Sequence, residues 1–294
     1  MTFLNSLGAP PWITDGAWGT ELQKRGLPPD RCPDAWNLSN PDAVSEVAQA
    51  YVYAGSQIIL TNTFRANAVA LAGAGLAARV REINTAGVRL SRQAAGDSAR
   101  VFASMGPSGK MLVTGETDER SLFTAFLAQA EALASEGPDA LLLETFSDLA
   151  EASIALRAAR TTGLPVVVSF AFDSGKNKDR TMMGVAPEQA AARMAEAGAT
   201  AIGSNCGIGI QAAAAVCRRL RAAGNLPVWM KPNAGLPELG PGGEVVYRST
   251  PQEFASHAAQ LRDSGARFIG GCCGTTPDFI RALVDAQRNA DAAG

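Results

Sequence analysis

The stretch TPQEFASHAAQLRDSGARFIGGCCGTTPDFIRALV, residues 250–284, contains the pattern of a helix, a strand and a second helix in direct succession. Thr250 with Glu253 three residues later is a capping box, which predicts the start of the first helix, and Gly265 predicts its end. Phe268–Ile269 is a short apolar run typical of a buried strand. Thr276-Pro277 places a capping residue and a proline at the start of the second helix.

The same alternation extends over the whole chain. Short runs of β-branched and apolar residues each end in a small or polar residue, and each is followed by an Ala-rich amphipathic segment. The eight predicted strands are Trp12–Thr14, Gln57–Leu60, Val101–Ser104, Ala140–Leu143, Val166–Phe170, Ala201–Gly203, Val228–Met230 and Phe268–Ile269. Asn40-Pro41 predicts the start of one helix between them, and Gly55 predicts its end. Strands that alternate with helices predict an α/β protein with a parallel sheet.

Eight such units in 294 residues predict a closed (β/α)8 TIM barrel, which usually takes about 250 residues. An open doubly wound sheet is the alternative, because alternation alone does not distinguish a closed sheet from an open one. The count of eight favours the barrel, as does the lack of a GxGxxG turn after the first strand. No linker divides residues 1–294, so we expect a single domain, with Gly235–Gly243 as a long loop after the seventh strand.

Composition excludes several classes of function. The chain has 26 Lys and Arg against 28 Asp and Glu, a net charge of −2, which gives no electrostatic signal for binding nucleic acid or an anionic membrane. The longest uncharged stretch, residues 197–217, contains polar residues and glycines and is a poor membrane span. The N-terminus MTFLNSLGAPPW lacks a basic region followed by an apolar run, so we expect a cytoplasmic protein. The Ala-rich outer helices suit solvent or a partner equally and leave the oligomeric state open.

Active sites of TIM barrels lie at the C-terminal ends of the strands. The residues just after the eight predicted strands are strongly polar or bear thiols. They are Asp15, Asn62, Thr63, Ser104, Glu144, Ser169, Asn205, Cys206, Lys231, Asn233, Cys272 and Cys273.

The cysteines are the most informative of these groups. Five cysteines, an odd number that includes an adjacent pair, do not resemble a disulfide framework and suggest a reducing compartment. Cys206, Cys272 and Cys273 follow the sixth and eighth strands, so three thiolates could converge at the barrel mouth. Three protein ligands with one open position is the arrangement of a catalytic zinc site. Packing as small apolar side chains is the alternative, and it fits Cys32 and Cys217 better.

A zinc ion bound by three thiolates carries net negative charge, so it is poorly suited to generating hydroxide. It is well suited to binding a substrate thiol as its fourth ligand, because coordination lowers the thiol pKa and leaves a nucleophilic thiolate. The pattern therefore predicts alkyl transfer to a thiol.

Six segments together resemble the zinc-dependent homocysteine S-methyltransferases. They are DGAWGTEL (15–22), AGSQIILTNTF (54–64), LLETFSD (142–148), GSNCG (203–207), KPNAG (231–235) and GGCCGTTP (270–277). That family includes the betaine- and S-methylmethionine-homocysteine methyltransferases and the homocysteine-binding module of cobalamin-dependent methionine synthase. The resemblance covers nearly the whole chain. It implies a single homocysteine-binding barrel, Zn²⁺ on Cys206, Cys272 and Cys273, and methionine as the product of attack by zinc-bound homocysteine thiolate on a methyl donor.

The resemblance also implies where homocysteine binds. Asp15 and Glu144 would face its ammonium group, and the backbone of the turn Gly16–Thr20, with Gly19 inside it, would receive its carboxylate. Asn205 would belong to the substrate site. Asn233 would place its carbonyl oxygen in the fourth zinc position when homocysteine is absent.

Structural roles are the alternatives for these residues. Asp15 could cap its turn, and Glu144 could be a rim carboxylate paired with Lys231. Asn233 before Ala-Gly is also an ordinary loop residue.

The methyl donor is left open by the sequence. Trp18, Trp36 and Phe64 could hold an onium donor such as betaine or S-methylmethionine by cation–π attraction, and Arg65 could bind a donor carboxylate or be a solvated charge. A separate corrinoid protein could instead supply the methyl group, because this chain lacks the length for corrinoid or folate modules. The single histidine, His257, lies within a helix and is not expected to bind metal or corrinoid. A methyltransferase for another thiol and a non-catalytic zinc-binding barrel remain as alternatives.

Overall fold

The computed structural model describes residues 9–240 and 245–293. Residues 1–8 of the N-terminal stretch and residues 241–243 of the predicted loop lie outside the described residues. The strands are β1 Trp12–Ile13, β2 Ile58–Leu60, β3 Arg100–Met105, β4 Ala140–Phe146, β5 Val166–Phe170, β6 Ala201–Gly209, β7 Val228–Asn233, β8 Glu238–Leu239, β9 Val245–Val246 and β10 Ala266–Ile269.

Helices follow the strands around the outside. They are α1 Gly19–Lys24, α2 Trp36–Ser39, α3 Pro41–Tyr53, α4 Ala68–Ala72, α5 Val80–Ala95, α6 Glu119–Ala134, α7 Leu149–Arg160, α8 Pro187–Glu196, α9 Ile210–Ala222, α10 Pro251–Asp263 and α11 Pro277–Ala293. Short 3₁₀ helices lie at Pro33–Ala35, Ala77–Arg79 and Leu112–Thr114.

The eight predicted strands form one parallel sheet in the order β1-β10-β7-β6-β5-β4-β3-β2. A parallel bridge between Thr14 and Ile58 joins the two ends of this order, so the sheet curls into a nearly closed barrel. The prediction of a (β/α)8 TIM barrel is therefore confirmed, and the open doubly wound sheet is excluded.

Two apolar layers hold the barrel together. One fills its interior and includes Trp12, Phe102, Trp229 and Phe268. The other lies between the sheet and the outer helices, where the apolar stripes of the helices cover the outward-facing strand residues. Strand residues alternate between these layers, as the two-residue period of a strand requires.

Four strands extend beyond their predicted ends, β3 by one residue to Met105 and three others by more. β4, β6 and β7 continue into polar residues, and the parallel pairing includes Asn205 with Lys231 and Gly209 with Asn233. The predicted ends were too early because the apolar pattern stops at the rim, where the strands continue with polar side chains. The functional side chains are thus carried by paired strand residues as well as by loops.

The helix signals are mostly confirmed. Thr250 and Glu253 form the predicted capping box at the start of α10, and Gly265 follows its end with a φ of 93°. α3 begins at Pro41 as predicted, but the Asn40 side chain makes no capping hydrogen bond. Its backbone φ of −143° and ψ of 55° are unlike the β-region backbone of a capping residue.

The segment after β7 differs from the predicted loop. Glu238–Leu239 pairs with Val245–Val246 as a short antiparallel hairpin, β8–β9. The Pro- and Gly-rich sequence concealed β8, because it contributes only two residues to the pairing. In the described residues, no helix is both long and apolar enough to cross a membrane.

Candidate active site at the C-terminal rim

Three cysteine thiols converge at the rim, one from β6 and two from the loop after β10. The Sγ atoms of Cys206, Cys272 and Cys273 all lie within 4.8 Å of one another, and those of Cys206 and Cys273 are 3.8 Å apart. Tetrahedral zinc with Zn–S bonds of about 2.3 Å places its sulfur ligands about 3.8 Å apart. The three thiols therefore have the spacing of a zinc site.

These thiols hold their protons at neutral pH when no cation is bound. A hydrogen bond with Cys272 lowers the pKa of Cys206, but the hydrogen bond with Cys273 and burial outweigh it and raise the pKa to about 11. The hydrogen bond with Cys206 and burial raise the pKa of Cys272 well above its usual value. Thiolate ligands form by losing these protons, so binding of a cation here releases protons.

Asn233 carries a buried side-chain oxygen at the rim. It lies at the end of β7 and is buried, and its side-chain Oδ1 has no hydrogen-bond partner among the described residues. A buried carbonyl oxygen without a partner is costly unless a ligand or water satisfies it. An oxygen of this kind fits a fourth position beside three thiolates.

The remaining cysteines lie apart from the thiol cluster. Cys217 is buried in α9, where its Sγ lies 3.6 Å from the carbonyl oxygen of Ser264. Cys32 is half-buried, with its Sγ 3.6 Å from a carboxylate oxygen of Asp34. His257 is partly exposed in the middle of α10 and is not part of the cluster. The structure thus places these three residues as the sequence predicted.

A cavity of about 380 Å³ opens above the thiols and connects them to the other rim residues. Its lining includes the three cysteines together with Gly16, Gly19, Thr20, Glu144 and Lys231. A larger groove of about 750 Å³ lies on the outside, between α6, α7 and α8, and has none of these groups. The cavity at the rim is therefore the candidate active site.

Asp15 lies beneath this cavity and is fully buried. Its Oδ1 forms an ion pair with Lys231, and its Oδ2 accepts hydrogen bonds from Trp18 Nε1 at 2.8 Å and from the Leu60 N–H at 2.7 Å. The predicted alternative paired Lys231 with Glu144, whereas the structure pairs it with Asp15. Asp15 therefore fixes the indole of Trp18 and the ammonium of Lys231 at the cavity wall.

Glu144 lines the cavity directly. Ser104 donates a hydrogen bond to its Oε1. Burial raises the pKa of this carboxyl, while the nearby Lys231 and the hydrogen bond from Ser104 lower it in part. A carboxylate with a raised pKa lacks sufficient compensation for its charge, so a cationic group of a ligand would stabilise it.

The turn between β1 and α1 approaches the loop of Cys272 and Cys273 closely. Tyr51 of α3 donates a hydrogen bond to the Ala17 carbonyl at 2.6 Å. A Cβ on Gly16 would lie 2.8 Å from both Tyr51 Oη and Thr275 Oγ1, so only glycine fits there. Thr20 Oγ1 is buried and has no hydrogen-bond partner in the described part of the chain. The turn thus presents an unsatisfied hydroxyl beside its backbone.

Two of the three aromatic residues predicted for donor binding reach the cavity. Trp18 and Phe64 line it, together with Arg65, whereas Trp36 packs against the outer core instead.

Asp34 lies at the same edge of the cavity. Burial raises the pKa of its carboxyl to about 6, despite a hydrogen bond from the Arg65 N–H at 2.9 Å.

Sequence reasoning missed one functional feature, the backbone strain around Thr145. Thr145 has a φ of 66° and Cys206 a φ of 58°. Positive φ is uncommon for any residue with a side chain and is a true outlier for a β-branched one. Such a conformation costs ~1–3 kcal/mol and persists only when its surroundings impose it. No local sequence pattern identifies it, because Thr145 hydrogen-bonds a residue distant in the sequence, Asn205.

Fold and site together define a TIM-barrel protein with a cluster of three thiols that could hold a metal ion, beside buried carboxylates. The profile of the homocysteine S-methyltransferase family matches residues 12–287. The chain belongs to this family, as the resemblance of its six segments implied.

Several relatives are similar over nearly the whole chain. It is 31% identical to the methionine synthase of Mycobacterium leprae, over 96% of this chain and 25% of that protein. It is also 31% identical to the methionine synthase of Mycobacterium tuberculosis, over 94% and 24%. The chain thus spans about a quarter of the length of these curated relatives. The metallated form of the homocysteine methyltransferase MmuM from Escherichia coli matches with a TM-score of 0.79 and 26% identity, over 96% of this chain and 99% of that one.

Proposed function

We propose that the chain is a zinc-dependent homocysteine S-methyltransferase that transfers a methyl group from a small donor to homocysteine and forms methionine. The observation that carries the proposal is the convergence of three thiols, within 4.8 Å of one another, beside a buried carboxylate in one cavity. In the reaction, a bond forms between the homocysteine sulfur and the methyl carbon. The bond from that carbon to the donor heteroatom breaks, and the heteroatom keeps the electron pair.

Cys206, Cys272 and Cys273 would hold the zinc ion, and the unsatisfied Oδ1 of Asn233 would complete the site when homocysteine is absent. The metallated form of MmuM, a homocysteine methyltransferase, supports this part of the proposal. The homocysteine thiol, as a fourth ligand to zinc held by these residues, would have a lowered pKa and would remain a nucleophilic thiolate. No side chain is then needed as a general base.

The amino-acid end of homocysteine would lie between Glu144 and the turn Gly16–Thr20. Two carboxylates, Asp15 and Glu144, face one ammonium, Lys231, so the wall carries one uncompensated negative charge that a substrate ammonium can neutralise. Glu144 lines the cavity and would make this contact, while Asp15 acts from beneath it. The free Thr20 hydroxyl and the neighbouring backbone would receive the substrate carboxylate.

The donor would occupy the outer part of the cavity, near Trp18, Phe64 and Arg65. Aromatic faces attract onium groups. Arg65 is exposed at the cavity edge, and its charge lowers the pKa of the neighbouring Asp34 carboxyl only in part. An exposed guanidinium at this edge suits the carboxylate of betaine or S-methylmethionine. The methionine synthases among the relatives favour testing a methyl group from a separate corrinoid protein as well.

A donor screen tests the proposal. Zinc-loaded protein is incubated with homocysteine and, in separate reactions, betaine, S-methylmethionine, S-adenosylmethionine or methylcobalamin, and methionine is measured by mass spectrometry. We expect methionine with at least one donor and none after stoichiometric removal of zinc. Activity that survives zinc removal would overturn the mechanism.

The same preparation separates the alternatives. Methylation of a different thiol in preference to homocysteine would identify another acceptor. In the cobalt-substituted protein, homocysteine is expected to shift the absorption spectrum, because its sulfur would enter the open position. An absorption spectrum that does not change when homocysteine is added would instead indicate a zinc-binding barrel without catalysis.

A further inference from the structure

The side chain of Asn205 links three strands of the rim. It belongs to β6 and is buried, and its Oδ1 accepts hydrogen bonds from the Thr145 N–H at 2.9 Å and from Ser169 Oγ at 2.7 Å. Its Nδ2 donates to Thr145 Oγ1 at 2.7 Å and lies 4.0 Å from Cys272 Sγ. One amide group therefore contacts β4, β5 and the cysteine loop at once.

Both backbones beside this amide depart from regular strand geometry. The pairing of β4 with β5 shifts register between Leu143 and Phe146, and the pairing of β6 with β7 shifts between Asn205 and Gly209. Each irregularity contains a residue with positive φ, Thr145 in one and Cys206 in the other. The first irregularity presents Glu144 to the cavity, and the second presents the Cys206 thiol.

Asn205 binds Thr145 at two points, the backbone N–H and the side-chain hydroxyl. A β-branched residue adopts positive φ only when its surroundings impose it, and these two hydrogen bonds supply that constraint. Ser169 belongs to β5, whose pairing with β6 is regular, so it anchors the amide to the undistorted part of the sheet. Without the amide, Thr145 would relax toward ordinary strand geometry and carry the adjacent Glu144 with it.

We infer that Asn205 is a positioning residue that couples the ammonium site at Glu144 to the thiol cluster. Both ends of its amide clamp Thr145, and its Nδ2 also supports Cys272. This inference rests on the proposed function, because it assigns Glu144 to the homocysteine ammonium. The sequence analysis expected Asn205 to belong to the substrate site. In this inference, Asn205 acts on the site indirectly, through Thr145 and Cys272.

Asn205→Ala is expected to weaken two separate affinities. Zinc should bind about 10- to 100-fold more weakly, which is the usual effect of removing an outer partner of a metal ligand. The affinity for homocysteine, measured from the spectral shift of the cobalt-substituted protein, should fall about tenfold as Glu144 loses its position.

Thr145→Gly distinguishes positioning from simple support of the core. Glycine adopts positive φ without the clamp, so adding Thr145→Gly to Asn205→Ala should restore homocysteine affinity to within about twofold of the single glycine variant. Zinc affinity should stay low in the double variant, because Cys272 still lacks its partner. Recovery of neither affinity would overturn the inference.

Asn84→Ala is the matched control. Asn84 is a buried asparagine of α5 that donates hydrogen bonds to the carbonyls of Ala66 and Val80 at 2.8 and 2.7 Å, outside the cavity. Its loss should lower the melting temperature and leave both affinities unchanged.

Thr145→Val is the second variant, for use if Asn205→Ala does not fold. It removes only the Thr145 hydroxyl that accepts the hydrogen bond from Asn205, and it should reproduce the loss of homocysteine affinity.

The outcomes separate this inference from the proposed function. The proposed function would be contradicted if the wild-type protein bound no zinc, or if homocysteine did not change the absorption spectrum of the cobalt-substituted wild type. A normal wild-type response with unchanged affinities in Asn205→Ala or Thr145→Val would contradict only the coupling.

Discussion

Below the rim, the barrel interior is filled by aromatic side chains, with the Phe268 ring centroid 4.9 Å from that of Trp12 and 5.2 Å from that of Trp229. The strands there pair in regular register, except that the pairing of β10 with β7 shifts between Ala266 and Phe268. At the rim, the same strands carry buried charges, three clustered thiols and two residues with positive φ. The two ends thus differ in the sign of their contribution to stability, because apolar burial stabilises the fold while strain and buried charge oppose it.

This difference teaches how the fold tolerates its site. The apolar interior and the regular strand β5 impose the geometry that the strained rim cannot maintain alone. Changes at the rim should therefore alter binding more than folding, and changes in the interior should alter folding more than binding. The following variants test that separation.

The largest expected effect is on metal binding. Cys272→Ser removes one of the three proposed ligands and should lower zinc affinity by more than the ~100-fold expected for an outer partner, with loss of methyl transfer. Cys217→Ser, in the buried site on α9, should leave zinc affinity unchanged. Competition with a chromogenic chelator measures both. Equal losses in the two variants would show that the cluster is not the metal site.

The interior should show the opposite pattern. Phe268→Ala removes a fully buried ring from between Trp12 and Trp229. It should lower the free energy of unfolding by ~3–5 kcal/mol, as measured by urea denaturation. Zinc affinity of the remaining folded protein should be unchanged. A large loss of zinc affinity without destabilisation would contradict the separation of the two ends.

Asp34 tests the cost of burying charge at the rim. Burial raises the pKa of its carboxyl from 3.8 to about 6, so the folded state binds a proton that the unfolded state has already released between these pH values. As pH rises from about 4 to about 6, the wild type should lose up to ~3 kcal/mol of unfolding free energy through this group, and the loss is complete above pH 6. Asp34→Asn lacks this loss.

The measurement compares the two proteins by urea denaturation at several pH values. The stability of Asp34→Asn relative to the wild type should increase from pH 4 toward pH 7, since the other titrating groups are shared. Parallel stability curves would show that Asp34 stays ionised throughout.

Glu144 tests the proposed ammonium contact. Glu144→Gln keeps the shape and the acceptor for Ser104 but removes the charge, so homocysteine should lose ~1.5–3 kcal/mol of binding. The KM for homocysteine should rise about 10- to 100-fold, with kcat less affected. Unfolding free energy should not fall, because glutamine does not bury a charge. Glu119→Gln, on the outer surface, is the control, and an equal KM in both variants would exclude the contact.

The sequence predicted the parts of this site that depend on residue type. Three cysteines and a glutamate at strand ends indicated thiol chemistry, and the alternation of strands and helices predicted the barrel that brings them together. Cys32, Cys217 and His257 were correctly assigned no part in the thiol cluster.

Other features depend on contacts between distant residues and have no local pattern. The ion pair of Asp15 with Lys231 joins a residue just after β1 to β7. From the sequence, Lys231 could have paired with either Asp15 or Glu144. The positive φ of Thr145 arises from hydrogen bonds to a strand sixty residues away. Local propensity would place threonine in an ordinary strand there.

Tyr51 tests the smallest effect and joins the two regions, since it is buried in α3 yet donates a hydrogen bond to the Ala17 carbonyl of the turn Gly16–Thr20. Tyr51→Phe keeps the ring and should cost ~1 kcal/mol of unfolding free energy. If the hydroxyl also holds the turn in place, homocysteine affinity should fall about fivefold while zinc affinity stays constant. Tyr53→Phe, at an exposed position on the same helix, should change neither. A loss of stability without any loss of homocysteine affinity would mean that the Gly16 turn keeps its shape through contact with Thr275 alone.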